Sequence, residues 1–410
     1  MNNTKEILNM GIISTFSRMV FGNAQTAACG SSTNTPAGKQ QSVPQQPAAK
    51  QSVPPAPLCK TPIAVYDCKG AAIQLSEDNN IASGREGTVY SLPHKDNVLV
   101  KLYDKRLLDD QAKYQRNTDR LFAMLKLQRK LDFANCNKSS FAWPVMPVFD
   151  KNKKIIGFVM FKCEGVSFRA LGSLAGIKRH FPDWTRRELA LTALDFVSKL
   201  RILQKNGAQV NDFNPSNFLV DRNCNVSFID CDSFQIAAGN KIHVTNTFMS
   251  SHCAPELLKN RNLLNLPRPP HQQEFGAAII VFNLLMCGLH PFAYYDPSQA
   301  TACGTPEENL LNGRCPLGVG AGCKFPVGNW YNLWSWTSHN VKGGFIRTFR
   351  DGHSNPMVRT SLADWEMYLH EMIVQMTKYA ERSDIFPTKP NLKAAGGKRF
   401  NPSKHVYNNL

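Results

Sequence analysis

Val210-Asn211-Asp212-Phe213-Asn214-Pro215-Ser216-Asn217 is the stretch on which the fold turns, and Val226-Ser227-Phe228-Ile229-Asp230-Cys231-Asp232 completes it shortly afterwards. The first is a polar turn set between apolar positions, with a carboxylate at Asp212 and an amide five residues on at Asn217. The second reads as a short strand of β-favouring residues that ends in a carboxylate. An Asn-Pro-Ser turn followed by an Asn-Cys-Asn hairpin at 223–225 would explain each polar residue singly. It does not explain their joint spacing, eighteen residues from Asp212 to Asp230.

Upstream of the turn, 186–206 has helical periodicity. Leu189, Ala193, Phe196, Val197, Leu200 and Leu203 share one face, and Gly207 follows as a stop. Before that the texture is β-like, with short runs at 63–66, 72–75, 88–92, 98–103, 145–149 and 155–161. Turn signals such as Lys69-Gly70 and Asp96-Asn97 separate them, and a basic helical stretch at 111–131 interrupts them. A small β-rich half followed by a larger helical half predicts an α+β, two-lobed fold. Inside the β-rich half, Lys101 ends the apolar run Val98-Leu99-Val100. A lysine on the inner side of such a strand is costly unless it meets an anion. On its own, however, a strand lysine commonly points to water, and the paired Gly84 and Gly87 commonly mean a hairpin turn.

Taken in order, these features resemble the protein-kinase superfamily over roughly 61–380. Ile81-Ala82-Ser83-Gly84-Arg85-Glu86-Gly87-Thr88-Val89-Tyr90 is similar to the glycine-rich loop G-x-G-x-x-G-x-V, with Ala82 in place of the first glycine. Lys101, twelve residues past Val89, resembles the V-A-I-K lysine. The stretch 210–217 resembles the catalytic loop H-R-D-L-x-x-x-N, and Asp230 stands in the place of the D-F-G aspartate. Ala254-Pro255-Glu256 matches A-P-E, and 284–292 resembles the end of the large central helix. Arg359-Thr360-Ser361-Leu362-Ala363-Asp364-Trp365 looks like the late segment whose arginine pairs with that glutamate, so a buried structural pair Glu256–Arg359 is expected. The texture is most similar to the bacterial and phage eukaryotic-like, YegI-type serine/threonine protein kinases. Val65-Tyr66-Asp67 with Gly70, Arg85-Glu86-Gly87, and Ile229-Asp230-Cys231-Asp232-Ser233-Phe234-Gln235 carry that likeness.

The resemblance implies ATP and Mg²⁺ as cofactors and a protein hydroxyl as acceptor, serine or threonine before tyrosine. It gives Lys101 the α- and β-phosphates, Asn217 and Asp230 the metal, and Asp212 the acceptor hydroxyl. Gly84 and Gly87 would let the backbone approach the phosphates, with Val89 beside them. Adenine would meet a hinge at 160–164. A protein substrate and a cognate protein phosphatase are the implied partners. The departures are specific. Val210 and Asn211 replace His-Arg, Asn214 stands where serine/threonine kinases have lysine, and Gln273 stands where the central helix begins with aspartate. Asp232 takes a glycine position where backbone flexibility is expected. The glutamate of the regulatory helix has no clear counterpart; Asp119 sits nearest its place, with Asp109 and Asp110 as poorer candidates. Asn211, Asp232 and Asp119 support the alternative reading, a pseudokinase that binds nucleotide or acts as a scaffold.

Composition bounds the rest. Of the formal charge of +17, nine units lie in the two ends, before residue 61 and after residue 384. The body is therefore only moderately basic, and no aromatic-interleaved patch marks a nucleic-acid surface. No apolar run long enough for a membrane span appears. The twelve cysteines include no C-x-x-C pair, which argues for reduced thiols in a cytoplasmic compartment rather than a zinc site or a secreted scaffold. Export into a host cell is the alternative location. Residues 1–60 read as a disordered Pro/Gln/Ser-rich region with a short amphipathic helix at 7–20. An N-lobe at 61–163, a C-lobe at 164–382 and a basic tail at 383–410 complete the expected organisation.

Overall fold

The β-branched and aromatic runs of the first half pair into one antiparallel sheet. The structure, a computed structural model, describes residue 20 and residues 62–92, 95–132, 140–294, 304–318 and 324–391. The strands are β1 (Ile63–Tyr66), β2 (Ala72–Leu75), β3 (Asn80–Ser83), β4 (Gly87–Leu92), β5 (Lys95–Tyr103), β6 (Pro144–Phe149) and β7 (Ile155–Phe161). Their order across the sheet is β2-β1-β6-β7-β5-β4-β3. Val98 and Val100 of β5 are buried in the core of this lobe, while Lys101, one residue out of phase, is buried on the other face. Its register partners are Val89 on β4 and Phe158 on β7.

Two helices follow β5: α1 (Lys105–Asp109), capped by the Asp104 side chain, and α2 (Gln111–Asp132). The second helix ties the lobes together. Leu121 and Leu125 belong to the core of the sheet lobe, whereas Met124, Leu127 and Leu131 belong to the core of the helical lobe. The Trp143 indole N–H donates to the Met124 carbonyl at 2.9 Å.

The second half contains α3 (Leu174–His180), α4 (Arg186–Lys205), α5 (Pro255–Lys259), α6 (Pro270–Leu285), α7 (Pro306–Leu311), α8 (Trp330–Ser335), α9 (His339–Ile346) and α10 (Leu362–Lys378). A capping box of Thr185 and Glu188 starts α4, and Gly207 follows its end with φ +85°. Helix α6 is buried along almost its whole length, which makes it the axis of this lobe. Short strands cross its surface as two small sheets. One is β11-β10-β8, from Val226–Phe228, Phe218–Val220 and Val166–Ser167; the other is β13-β12-β9, from Lys241–His243, Gln235–Ala238 and Ala208–Gln209. The arrangement is α+β and two-lobed, as the sequence predicts. Among the described residues no helix is long and apolar enough to cross a membrane. Val20 is buried in the core of the sheet lobe. The rest of the expected linker at 1–60, its helix at 7–20, and most of the basic tail lie outside the described residues.

Candidate functional site

The loop that carries Asp212 is fixed from below. Val210 N–H donates to the Gln273 side-chain oxygen at 2.8 Å, so this amide from α6 anchors the loop at the position where aspartate is the expected residue. Phe213 packs on α6 at Gly276, where any Cβ would come within 2.3 Å of its ring, so the glycine is required by this contact. Asn214 accepts from Ser216 N–H at 3.0 Å and opens the turn Pro215–Asn217. The Asn217 carbonyl then accepts from Ile229 N–H at 2.9 Å, which sets Asn217 beside the strand that delivers Asp230. Asp212, Asn217 and Asp230 are thus brought to one place. One carboxylate oxygen of Asp212, Oδ1, is buried with no hydrogen-bond partner among the described residues. Burial, then the charge of Asp230, raises the pKa of this carboxyl, while hydrogen bonds from Asn214 and Asn217 hold it back in part.

Lys101 reaches across the cleft. Its ammonium donates to Asp230 Oδ1 at 2.6 Å and to Asp232 Oδ1 at 2.8 Å. The lysine is 6% exposed. Burial alone would depress its pKa, but Asp232 and Asp230 more than offset that and raise it. Asp230 sits in the left-handed region at φ 57°, and its carbonyl accepts from Ser233 N–H and Oγ, holding the turn Cys231–Ser233. A non-glycine residue in that region stores strain of the kind that gathers at functional sites. Asp232 is buried, and its pKa is raised by burial although Lys101 pulls it down. Glu86 of the β3–β4 turn is raised by burial and by Asp232. Glu86, Asp230 and Asp232 therefore gather around one lysine and Asp212 lies within reach of Asp230, with Arg120 beside Glu86 and Asp232 and Arg268 beside Asp212 as the further cations. The surplus is negative. Among the described residues no three His, Cys, Asp or Glu side chains form a cage that could hold a metal unaided. An Mg²⁺ ion held by one or two protein oxygens needs oxygens from its substrate to complete its shell, and Asp230 with Asn217 fits that donor set.

Two expectations are corrected. Asp119 does not approach Lys101: it accepts from Lys241 of β13 at 2.8 Å and from Gln115 at 2.8 Å. Helix α2 turns Leu121 and Leu125 to the sheet, which sends Asp119 towards the C-lobe ribbon instead. Asp109 is exposed and Asp110 pairs with Lys113 at 2.9 Å. The partners of Lys101 are Asp230 and, beside it, Asp232 at the position expected to be flexible. Gly87 is also required by strand packing, since a Cβ there would lie 2.1 Å from the Leu102 carbonyl oxygen. Gly84, by contrast, has open space around it and donates its N–H to the Gly87 carbonyl. The expected hinge follows β7, with Lys162 N–H donating to the Asn97 carbonyl at 3.0 Å.

One functional element carries no sequence signal. Arg268, 4% exposed, donates to the carbonyls of Asn211 (3.1 Å), Thr245 (3.3 Å) and Thr247 (3.1 Å). Asn211 donates its amide to Thr245 Oγ1, which in turn donates to the Ser233 carbonyl. The segment between Asp230 and Glu256 is therefore tied to the 210–217 loop through neutral groups and one arginine, whose pKa burial lowers to about 10. Downstream, the expected Glu256–Arg359 pair is present and bidentate, at 2.8 and 2.9 Å.

Comparison with known proteins follows the same lines. The chain is 27% identical over 237 residues, 57% of its length, to Protein kinase YegI of Escherichia coli (strain K12), of which it covers 34%. It is 30% identical over 154 residues, 37% of its length, to Protein kinase YegI of Escherichia coli O157:H7, of which it covers 24%. The chain thus spans about a third of the length of one of these curated relatives and about a quarter of the other. No family model matches. Among solved structures, the ROP18 kinase domain in complex with AMP-PNP and sucrose aligns with a TM-score of 0.45 at 14% identity, over 78% of this chain and 87% of that one.

Proposed function

We propose that this chain, a member of the protein-kinase-like superfamily, is an ATP- and Mg²⁺-dependent kinase that phosphorylates a protein hydroxyl, serine or threonine before tyrosine. The observation that carries this reading is the cluster of carboxylates at Lys101, with Asp212 next to Asp230 and its Oδ1 buried without a hydrogen-bond partner among the described residues. Such a cluster accommodates a divalent cation and leaves one carboxylate oxygen free to accept a proton. Asp230 and the Asn217 side chain would hold the metal, which neutralises charge on the transferred phosphoryl group. With Asp230 turned to the metal, Lys101 keeps Asp232 as its anchor and turns its remaining donors to the α- and β-phosphates. The turn at Gly84, with Val89 beside Lys101, covers the nucleotide, and residues 160–164 receive adenine. Asp212 orients the acceptor hydroxyl and takes its proton. The new bond joins that oxygen to the γ-phosphorus as the bond to the bridging oxygen of ADP breaks. Positioning and charge, rather than covalent chemistry, do the work.

The test is incubation of the purified chain with labelled ATP and Mg²⁺, followed by phosphoamino-acid analysis. Label on serine or threonine, lost in Lys101→Ala and Asp230→Asn, supports the kinase. The pseudokinase reading is favoured by one observation, that both Lys101 contacts are already made to carboxylates. Nucleotide binding without any transfer would establish it.

A further inference from the structure

Arg186, the first residue of α4, is completely buried, and Lys342 of α9 is 4% exposed. The guanidinium donates through Nη2 to Thr337 Oγ1 at 2.5 Å, while its Nε and Nη1 are buried with no hydrogen-bond partner among the described residues. The Lys342 ammonium donates to the Ser335 carbonyl at 3.2 Å and lies 5.9 Å from the Trp334 ring. Two groups of negative tendency act on Arg186, Cys287 and Asp384, and neither is a counterion in contact. Burial pushes the Cys287 thiol up to about 11, so it keeps its proton and donates it to the Ile385 carbonyl at 3.4 Å. Asp384 is exposed and makes no ion pair with the guanidinium. Burial therefore dominates and lowers Arg186 to about 10, while burial and the nearby guanidinium lower Lys342 to about 8. Two buried cations without a carboxylate in contact are costly, and unfilled buried donors of this kind call for an acceptor.

The unfilled donors meet at one helix end. Thr337 and Ser338 directly precede α9 (His339–Ile346), so the guanidinium held on Thr337 stands at the N-terminus of that helix. Ser338 occupies the capping position, yet its side chain makes no cap hydrogen bond and its Oγ is buried without a partner among the described residues. The first-turn amides of α9 thus lack the acceptor that a cap serine supplies. The chain closes over this corner: the Lys389 carbonyl accepts from the Trp336 indole at 2.9 Å, and Asn391 N–H donates to Ser335 Oγ at 2.8 Å. We infer that a small tetrahedral oxyanion, inorganic phosphate or sulfate, binds between Arg186, Ser338 and the N-terminus of α9, with Lys342 as the second cation. Such an ion takes the free edge of the guanidinium with one pair of oxygens and the serine hydroxyl and helix amides with the others. Chloride, a single centre, cannot span both. The complete burial of Arg186 suits an ion enclosed by the fold rather than the side chain of a partner. This inference does not depend on the kinase reading.

The experiment uses the full chain dialysed into a phosphate- and sulfate-free zwitterionic buffer near neutral pH. Inorganic phosphate is the probe, and sodium chloride holds ionic strength constant. Phosphate should raise Tm saturably, by about 2–5 °C at tenfold excess over half-saturation, where chloride does not. Lys101→Ala, which removes the cation of the nucleotide cleft, should keep this gain, and Arg186→Gln should lose it. Should Arg186→Gln not fold, Lys342→Met decides, and its half-saturating phosphate concentration should be at least about tenfold higher than in wild type. Ion chromatography of the dialysed and then denatured chain covers an ion retained through purification. About one equivalent of phosphate or sulfate in wild type, and much less in Lys342→Met, supports the site equally. A gain no larger than that of chloride, with no retained anion, overturns the inference. So does a gain that persists in Arg186→Gln, is unchanged in Lys342→Met, or vanishes in Lys101→Ala.

Discussion

Two buried ionic clusters lie in this molecule, and they are built to opposite plans. At Arg359 the charges close on each other. Its guanidinium grips both oxygens of Glu256, donates to the carbonyls of Gly352 and His271, and stacks on Phe275 at 4.8 Å. At Lys101 a single ammonium faces Asp230 and Asp232, with Glu86 and Asp212 close enough to feel them. The first cluster pushes its carboxyl below the usual range, because hydrogen bonding and charge from Arg359 outweigh the burial. The second pushes three carboxyls above it, with burial the leading cause. A satisfied pair belongs to the architecture. An unbalanced one, in a cleft between two lobes, marks the place where something else must bind.

The contrast breaks most sharply at Asp230. Asp230→Asn or Lys101→Ala should lower phosphoryl transfer by roughly a thousandfold or more, on the order of 4 kcal/mol in the barrier. The two variants should differ in stability. Asp230→Asn relieves repulsion on Asp232 and should melt no lower than wild type, whereas Lys101→Ala strands two carboxylates and should melt lower. Addition of Mg²⁺ and ATP should raise the melting temperature of wild type and not of Asp230→Asn. Transfer by Asp230→Asn within tenfold of wild type would remove this residue from the site.

At the closed cluster the loss should be one of stability. Arg359→Met leaves Glu256 buried beside nothing, and breaking such a pair costs about 3–5 kcal/mol. For a domain of this size that is a fall of roughly 6–15 °C in Tm. Acid titration should separate the clusters by sign. Glu256 titrates below its unfolded value, so its contribution is full at neutral pH and is lost as pH falls through the lowered pKa. Asp212, Asp232 and Glu86 titrate above theirs, so between the ordinary carboxylate range and their raised values the folded state holds more protons, and acidification there stabilises it. Tm measured against pH should therefore rise slightly below neutrality before it falls. The rise should shrink in Asp232→Asn, and the fall should flatten in Arg359→Met. Transfer should decline over the same interval as Asp212 takes up its proton.

A smaller effect is expected at Arg268. In kinases with arginine beside the catalytic aspartate, that residue gathers a phosphate; here it is Asn211, and three carbonyls on Arg268 do the tying. Phosphatase treatment should leave the rate on an external substrate within a few-fold. Arg268→Lys, which cannot bridge three carbonyls with the same geometry, should lower it roughly tenfold, about 1.4 kcal/mol. A hundredfold loss on phosphatase treatment would mean that a phosphate does this work after all.

Much of this was legible in the chain. The strands expected at 63–66, 72–75 and 155–161 have those bounds in the structure, and the helix expected at 186–206 ends one residue earlier. Asp212, Asn217 and Asp230 meet because the loop and the following strand are neighbours in sequence, so spacing nearly fixes their geometry. Glu256 and Arg359 were paired through resemblance to a motif. Asp232 and Arg268 escaped for a common reason. Each finds its partners through tertiary packing across the lobes or the C-lobe ribbon, 131 positions from Lys101 in one case and 57 from Asn211 in the other. No local pattern announces such contacts. Asp119 failed differently: its position along the helix was suitable, but the direction it faces depends on which side of α2 packs against the sheet.

That failure yields the smallest and most discriminating prediction. The Asp119–Lys241 pair is a surface contact, with side chains 32% and 64% exposed, and such pairs are worth about 0–1 kcal/mol. Asp119→Ala should therefore shift Tm by about 2 °C or less and leave transfer within about twofold. Asp232→Asn, on the same assay, should be far more damaging, because it loosens Lys101 while leaving α2 untouched. Paired measurement of the two variants decides which acid orients the lysine during turnover. Should Asp119→Ala prove as inactive as Lys101→Ala, helix α2 must rotate in the working enzyme to bring Asp119 to the lysine. Lys241 would then be the group that restrains it, and Lys241→Ala should raise the rate rather than leave it unchanged.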